Sequence, residues 1–258
     1  MDYLIYFFGP LFLGLVGARI LRQRFAVFLI GFGAFFVAWI IMTLLAAVAT
    51  KGFGLAEGSF RYGLFVSLTA GLGEESTRYV VFRQFGAFED NRNGRASTMY
   101  ALGHHGMETA IVGLTLLLIY AVVKYKPDAI SDPATLKQCR EMLALGTGAK
   151  IYNASERLIV GFFMHACFSG VVMVCFTRAQ TRWLFAAMGW HFLHNLIGFN
   201  IHRLSPHWMT PKLWIAIVVI GYSLILARLY RSLNRVPVPP GPAPKTGDEA
   251  HGCGAKAA

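Results

Sequence analysis

The stretch FAVFLIGFGAFFVAWIIMTLLAAVAT, residues 25–50, runs for 26 residues without a charged side chain. A helix needs about 20 apolar residues to cross the hydrocarbon core of a bilayer. Backbone placed in lipid must satisfy its own hydrogen bonds, so a run of this kind is read as an α-helix. The solvent of this chain is therefore lipid.

Six more apolar runs lie on either side, at about residues 3–21, 62–82, 97–123, 158–177, 183–201 and 208–227. Together the runs predict an all-α fold, a polytopic transmembrane helical bundle of about seven spans. Composition agrees. Hydrophobic residues make up 55% and charged residues 14%, with mean hydropathy +0.51, whereas a soluble domain carries about 25% charged residues.

The polar segments divide the rest. Residues 88–95 read as a water-exposed turn. In the longest connection, residues 124–157, Asp132-Pro133 opens a short surface helix over residues 134–145 that stops near Gly146. After Arg235 the sequence VPVPPGPAP suits neither helix nor sheet. The expected organisation is a helical body over residues 1–235 and a disordered Pro/Gly-rich tail over 236–258. The start, Met1-Asp2-Tyr3, has no basic region or cleavage site, and is read as a retained helix rather than a signal peptide.

The net charge of +11 does not imply nucleic acid, because the basic residues mark the ends of apolar runs instead of forming one patch. Clusters at 19–24, 83–95, 178–182 and 228–235 fall on one side of a seven-span chain, which the positive-inside rule makes the cytoplasm. The expected protein is a multi-pass component of the cell membrane with a cytoplasmic tail. The connection at 124–157, with Lys124, Lys126, Lys137, Arg140 and Lys150, falls on the other side. The four cysteines are too scattered for a disulfide framework or a zinc ribbon.

Only three of the thirteen carboxylates, Glu74, Glu75 and Glu108, fall inside the runs, with five of the eight histidines: His104, His105, His165, His191 and His194. A charge at the centre of a lipid-facing helix costs at least ~2.5–3.5 kcal/mol, so such residues face a bundle interior and find partners there. Helical spacing lets Glu74 or Glu75 meet Arg78, and pairs His104 with Glu108 and His191 with Asn195. His165, alone on its run, reads more simply as a packing residue, and His105 and His194 as supporting ones. Gly71, Gly73, Gly103 and Gly106 let neighbouring helices approach. The polar residues lie about seven to eight positions from the same end of their runs, so they can share one depth.

Four motifs in order, Glu74-Glu75-Ser76-Thr77-Arg78, Gly103-His104-His105-Gly106-Met107-Glu108, Glu156-Arg157 followed by His165, and His191-Phe192-Leu193-His194-Asn195, resemble those of the YhfC-type intramembrane metalloproteases. That family is grouped with the CAAX-protease and bacteriocin-processing (CPBP) superfamily and is distantly similar to PrsW. The resemblance implies a catalytic set of Glu74 or Glu75, His104, and His191 with Asn195, supported by Arg78, Glu108 and His165. Two departures stand out. Arg78 lies one residue earlier than the CAAX-protease arginine, and Asn195 stands where YhfC-like sequences commonly carry Asp.

Residue chemistry agrees in outline with intramembrane peptide hydrolysis, which needs a base for water and donors for the oxyanion. The base is expected to be Glu74, with Glu75 as the partner of Arg78. His104, His191 and Glu74 also form a three-ligand set for zinc. The expected partners are the bilayer and a peptide or protein substrate. The alternative is a non-enzymatic His-rich bundle that binds haem or conducts metal ions or protons.

Overall fold

The computed structural model describes residues 2–88, 91–204 and 209–235. The tail expected over 236–258 lies outside the described residues. Among them are eight α-helices and no strand: α1 (Ile5–Leu21), α2 (Phe25–Ala47), α3 (Phe60–Gln84), α4 (Gly94–Tyr125), α5 (Pro133–Leu143), α6 (Thr147–Thr177), α7 (Arg182–Leu204) and α8 (Met209–Arg235). Side-chain caps start three of them. The Ser59 hydroxyl accepts from the Tyr62 N–H at the start of α3, Asn93 accepts from Arg95 and Ala96 N–H groups at α4, and Asp132 accepts from Ala134 and Thr135 at α5. Each satisfies amide donors that the first helical turn leaves unpaired. These bonds, the Thr135 hydroxyl first, hold the exposed Asp132 carboxyl below the usual carboxylate range.

Helix α5 is the short helix expected from Asp132-Pro133, and the other seven helices overlap the seven apolar runs. Helix α6 differs most, since it begins at Thr147 and not near residue 158. Its polar first turns, including Lys150, Asn153, Glu156 and Arg157, line a cavity. Polarity there marks a wet helix face, not a loop. Among the described residues, four segments are long and apolar enough to cross a membrane: Phe25–Gly52, Gly94–Tyr125, Thr147–Thr177 and Ile215–Arg235. Helix α1 is apolar but only 17 residues long. Helices α3 and α7 are long enough, and their polar residues lower their apolarity.

Helix α4 packs against α1, α2 and α6, while α3 lies between α2 and α7, and α8 covers α6. Among the described glycines, those at the α2–α4 contact meet a neighbouring helix backbone most closely. A Cβ on Gly31 would stand 2.1 Å from the Tyr100 carbonyl oxygen, and one on Gly103 would stand 1.9 Å from the Phe28 carbonyl oxygen. Backbone contact of this kind is how small residues let membrane helices pack without a hydrophobic driving force. Phe28, Phe82, Phe88, Met99, Tyr100 and Met173 fill the interior, whereas Leu29, Phe36, Leu44, Leu68, Leu118 and Leu224 are exposed. Large apolar residues outside and carboxylates inside suit a surround of lipid.

Contacts gather the arginine-rich helix ends at one end of the bundle. The Gly94 N–H donates to Asn234 Oδ1 at 3.1 Å, Arg92 lies over the Phe176 ring at 5.3 Å, and Arg178 reaches Ser232. Glu74 stands 10 residues from the end of α3, His104 10 from the start of α4, His191 9 from the start of α7, and His165 12 from the end of α6. The four therefore lie at similar depth from the arginine end.

Candidate active site

Helix α3 places Glu74 and Glu75 side by side but aims them differently. The Glu75 carboxylate accepts from Arg78 three residues on and from His191 Nδ1 at 2.8 Å. Glu74 has no guanidinium hydrogen-bonded to it among the described residues. Its Oε2 is 2.9 Å from His104 Nε2 and 3.8 Å from His165 Nδ1, and its Oε1 is 3.9 Å from His191 Nε2. Three imidazoles from α4, α6 and α7 thus converge on one carboxylate. Glu75, Arg78, His104, His165 and His191 are each no more than 1% exposed, and Glu74 is 5% exposed.

The hydrogen bonds behind these rings decide which nitrogen faces inward. His191 Nδ1–H donates to Glu75, leaving its Nε2 lone pair toward Glu74. Arg78 Nη2 lies 3.3 Å from His165 Nδ1, and a guanidinium only donates, so His165 Nδ1 is the acceptor. Its Nε2–H then donates to Glu108 Oε2 at 2.9 Å. His104 Nδ1 lies 3.5 Å from the Tyr100 hydroxyl, which leaves Nε2 for the centre.

Beyond His165 lies a second cluster. Glu108 accepts from Arg157 Nη2 at 2.7 Å and lies 3.0 Å from His105 Nδ1, while His105 Nε2 reaches the Arg157 carbonyl at 3.0 Å. Helices α4 and α6 meet closely here, since a Cβ on Gly161 would stand 2.0 Å from the His105 ring.

The structure redraws two sequence expectations. His104 and Glu108, four apart on α4, were expected as a pair; instead His104 joins Glu74, and His105 joins Glu108. His165, read as a packing residue, links the two clusters. The isolated position of His165 on its run carried no signal of this, and only the motif Glu156-Arg157 upstream pointed to it. Asn195 stands one turn beyond His191, half-buried, lining a cavity with Ser67 and Ala70, and no hydrogen bond ties its amide to another described residue. Of the four glycines expected at close approaches, Gly71, Gly103 and Gly106 meet α7, α2 and α1, while Gly73 has only ordinary contact with Met42.

The donor set fits a metal ion. Ligand atoms of Glu74, His104 and His165 lie within 4.8 Å of one another, as do those of His105, Glu108 and His165. In the first set His165 is backed by the Glu108 carboxylate, the arrangement that orients metal-binding histidines, and His104 by the Tyr100 hydroxyl, while His165 Nδ1 would exchange its contact with Arg78 Nη2 for the ion. In the second set His165 Nε2 carries a proton, and the Arg157 guanidinium already balances Glu108. The first set is the better metal centre.

The family described as YhfC intramembrane metalloprotease matches residues 10–219, which include every residue of both clusters. No curated protein and no solved structure matches the chain.

Proposed function

The chain belongs to the YhfC intramembrane metalloprotease family, and we propose that it hydrolyses peptide bonds at the centre built on Glu74. The observation that carries this reading is the convergence of His104, His165 and His191 on a carboxylate that, among the described residues, no arginine hydrogen-bonds. Zinc would be held by these three imidazoles, with His165 taking the place expected for Glu74 from the sequence. When bound, it supplies Lewis acidity and makes water a nucleophile near neutral pH.

The chain's own residues supply the rest. Glu74 takes a proton from water as the water oxygen adds to the peptide carbonyl carbon, and returns it to the amine nitrogen as the C–N bond breaks. Asn195, whose amide makes no hydrogen bond to another described residue, donates to the oxyanion. Glu75 and Glu108 hold His191 and His165 in orientation, and Arg78 balances Glu75. The arginine clusters support a cytoplasmic arginine end under the positive-inside rule, and the proposed location is the cell membrane with a cytoplasmic tail.

The test is elemental analysis and peptide turnover on detergent-purified protein. One zinc per chain, with turnover lost to chelator and restored by zinc, is expected. A Soret absorption band, or turnover without metal that chelator leaves unchanged, overturns this assignment. The natural substrate is sought by comparing newly formed peptide termini in membranes carrying the wild type or the double variant Glu74→Gln/Glu75→Gln.

A further inference from the structure

Two cavities occupy the half of the bundle away from the arginine end. The first, of about 470 Å³, lies among α1, α4 and α6, with Tyr6, Glu108, Leu116, Asn153 and Arg157 in its walls. The second, of about 530 Å³, lies among α2, α3 and α7, with Thr43, Ala46, Ser67 and Asn195 in its walls. Each falls within the range of about 300–1,000 Å³ typical of ligand pockets. One residue, His194 of α7, lines both. Glu74, His104 and His191 line neither cavity but stand about one helical turn from the walls: Glu74 is four residues along α3 from Ala70, and His191 three residues before His194 on α7.

We propose that the two cavities are one binding path for an extended polypeptide segment, running over His194 and admitting its occupant from the membrane face opposite the arginine clusters. This rests on the protease reading and adds to it the side of entry and the course of the substrate. The wall chemistry selects the occupant. Acidic, basic, amide and hydroxyl groups alternate with Val112, Leu116 and Met164 in the first cavity, and Thr43, Ser67 and Asn195 stand among apolar residues in the second. That mixture matches a backbone rich in donors and acceptors with side chains of varied kind. A third groove, of about 550 Å³ between α2 and α3, shows what a lipid chain would be offered: its walls are Leu29, Ile30, Val37, Val80 and Phe85, with little polar relief. The position of the cavities also resolves an asymmetry of depth. The cluster lies nearer the arginine end, yet the space that reaches toward it comes from the other end, so a segment projecting from the far face ends about one helical turn from Glu74.

Tethered-peptide crosslinking tests this without requiring hydrolysis. Leu116→Cys is placed in the Glu74→Gln protein with Cys139→Ser and Cys253→Ser, leaving the buried Cys167 and Cys175. It is then joined to a flexible ten-residue Gly/Ser peptide by an N-terminal maleimide. Such a peptide spans ~33 Å when extended, and tethering removes any dependence on its affinity. A benzophenone at its far end should crosslink to the walls of the second cavity on α2 or α7, and His194→Trp, which narrows the junction and gives up the hydrogen bond with Tyr222, should cut that crosslink at least tenfold in protein that circular dichroism shows to keep its helix content. Crosslinks confined to α1, α5 or α6, or indifferent to His194→Trp, overturn the continuous path. In intact cells the maleimide peptide should react with Leu116→Cys from outside; reaction only in inverted membrane vesicles overturns the assigned face. Because the Glu74→Gln protein is used, crosslinking without any wild-type turnover would retain the path and reject the protease, and turnover with confined crosslinks would do the reverse.

Discussion

Two clusters of the same residue types meet at His165, and they are built for different work. In the deeper one Glu74 faces three imidazoles and, among the described residues, is hydrogen-bonded by no guanidinium, Arg78 being bonded to Glu75 instead. In the shallower one Glu108 is bonded by Arg157 and His165 and lies close to His105, with its side chain 26% exposed on a cavity. A carboxylate paired with arginine is a weaker base, and one withdrawn from water without such a partner is a stronger one. The comparison teaches that in this bundle the placement of arginine, rather than of glutamate or histidine, separates reactive from supporting groups. Glu74 and Glu75 repeat the lesson within one turn of helix.

The sharpest way to break this contrast is Glu74→Gln. Peptide turnover should fall about 10³-fold, within the range for loss of a general base, while zinc stoichiometry by elemental analysis stays at one. Loss of zinc in this variant would make Glu74 a ligand and shift the base elsewhere. If neither Glu74→Gln nor Glu75→Gln reduces turnover, the protease assignment itself fails.

Glu75→Gln should act on the fold instead. It removes the charge that compensates Arg78, and stranding one member of a buried pair costs about 3–5 kcal/mol. Detergent-solubilised protein should melt much earlier and insert poorly. A stable variant with intact melting and abolished turnover would exchange the roles of the two glutamates.

His165→Ala distinguishes a ligand from a packing residue. Zinc affinity, measured by competition with a chromophoric chelator, should drop at least ~100-fold, since both a ligand and the link to Glu108 disappear. An unchanged affinity would leave His104 and His191 as the only imidazole ligands. The smallest effect belongs to the second cluster. Glu108→Gln keeps an acceptor for His165 but loses the charge, so zinc affinity should fall by about tenfold. The spectrum of the cobalt-substituted protein should shift, which a merely structural residue would not produce.

Much of this was legible in the residue order. Apolar runs marked seven of the helices, four of them with segments long and apolar enough to cross a membrane, Asp132-Pro133 marked the start of α5, and carboxylates in apolar runs pointed to a bundle interior. The shared depth of Glu74, His104 and His191 followed from counting positions along their runs. Pairing was less legible. Helical spacing ranks Glu74–Arg78 above Glu75–Arg78, because an acid four residues before a cation is the better local pair. The bundle formed the Glu75–Arg78 pair, with His191 of α7 bonded to the same carboxylate.

The sequence by itself determined what has only to do with solvent and local chain: which segments are apolar, where helices begin, and which costly polar groups must be turned inward. These depend on a residue and its near neighbours, and one chain carries that information. Tertiary structure decided what depends on rotation of one helix about its axis relative to another. It brought His165 between Glu74 and Glu108, separated His104 from His105 by aiming them at different clusters, and set His194 between two cavities. A turn of 100° per residue makes adjacent side chains face different neighbours. Which neighbour each one meets was set by contacts such as Gly31 and Gly103, where backbones touch and leave the helices no other register.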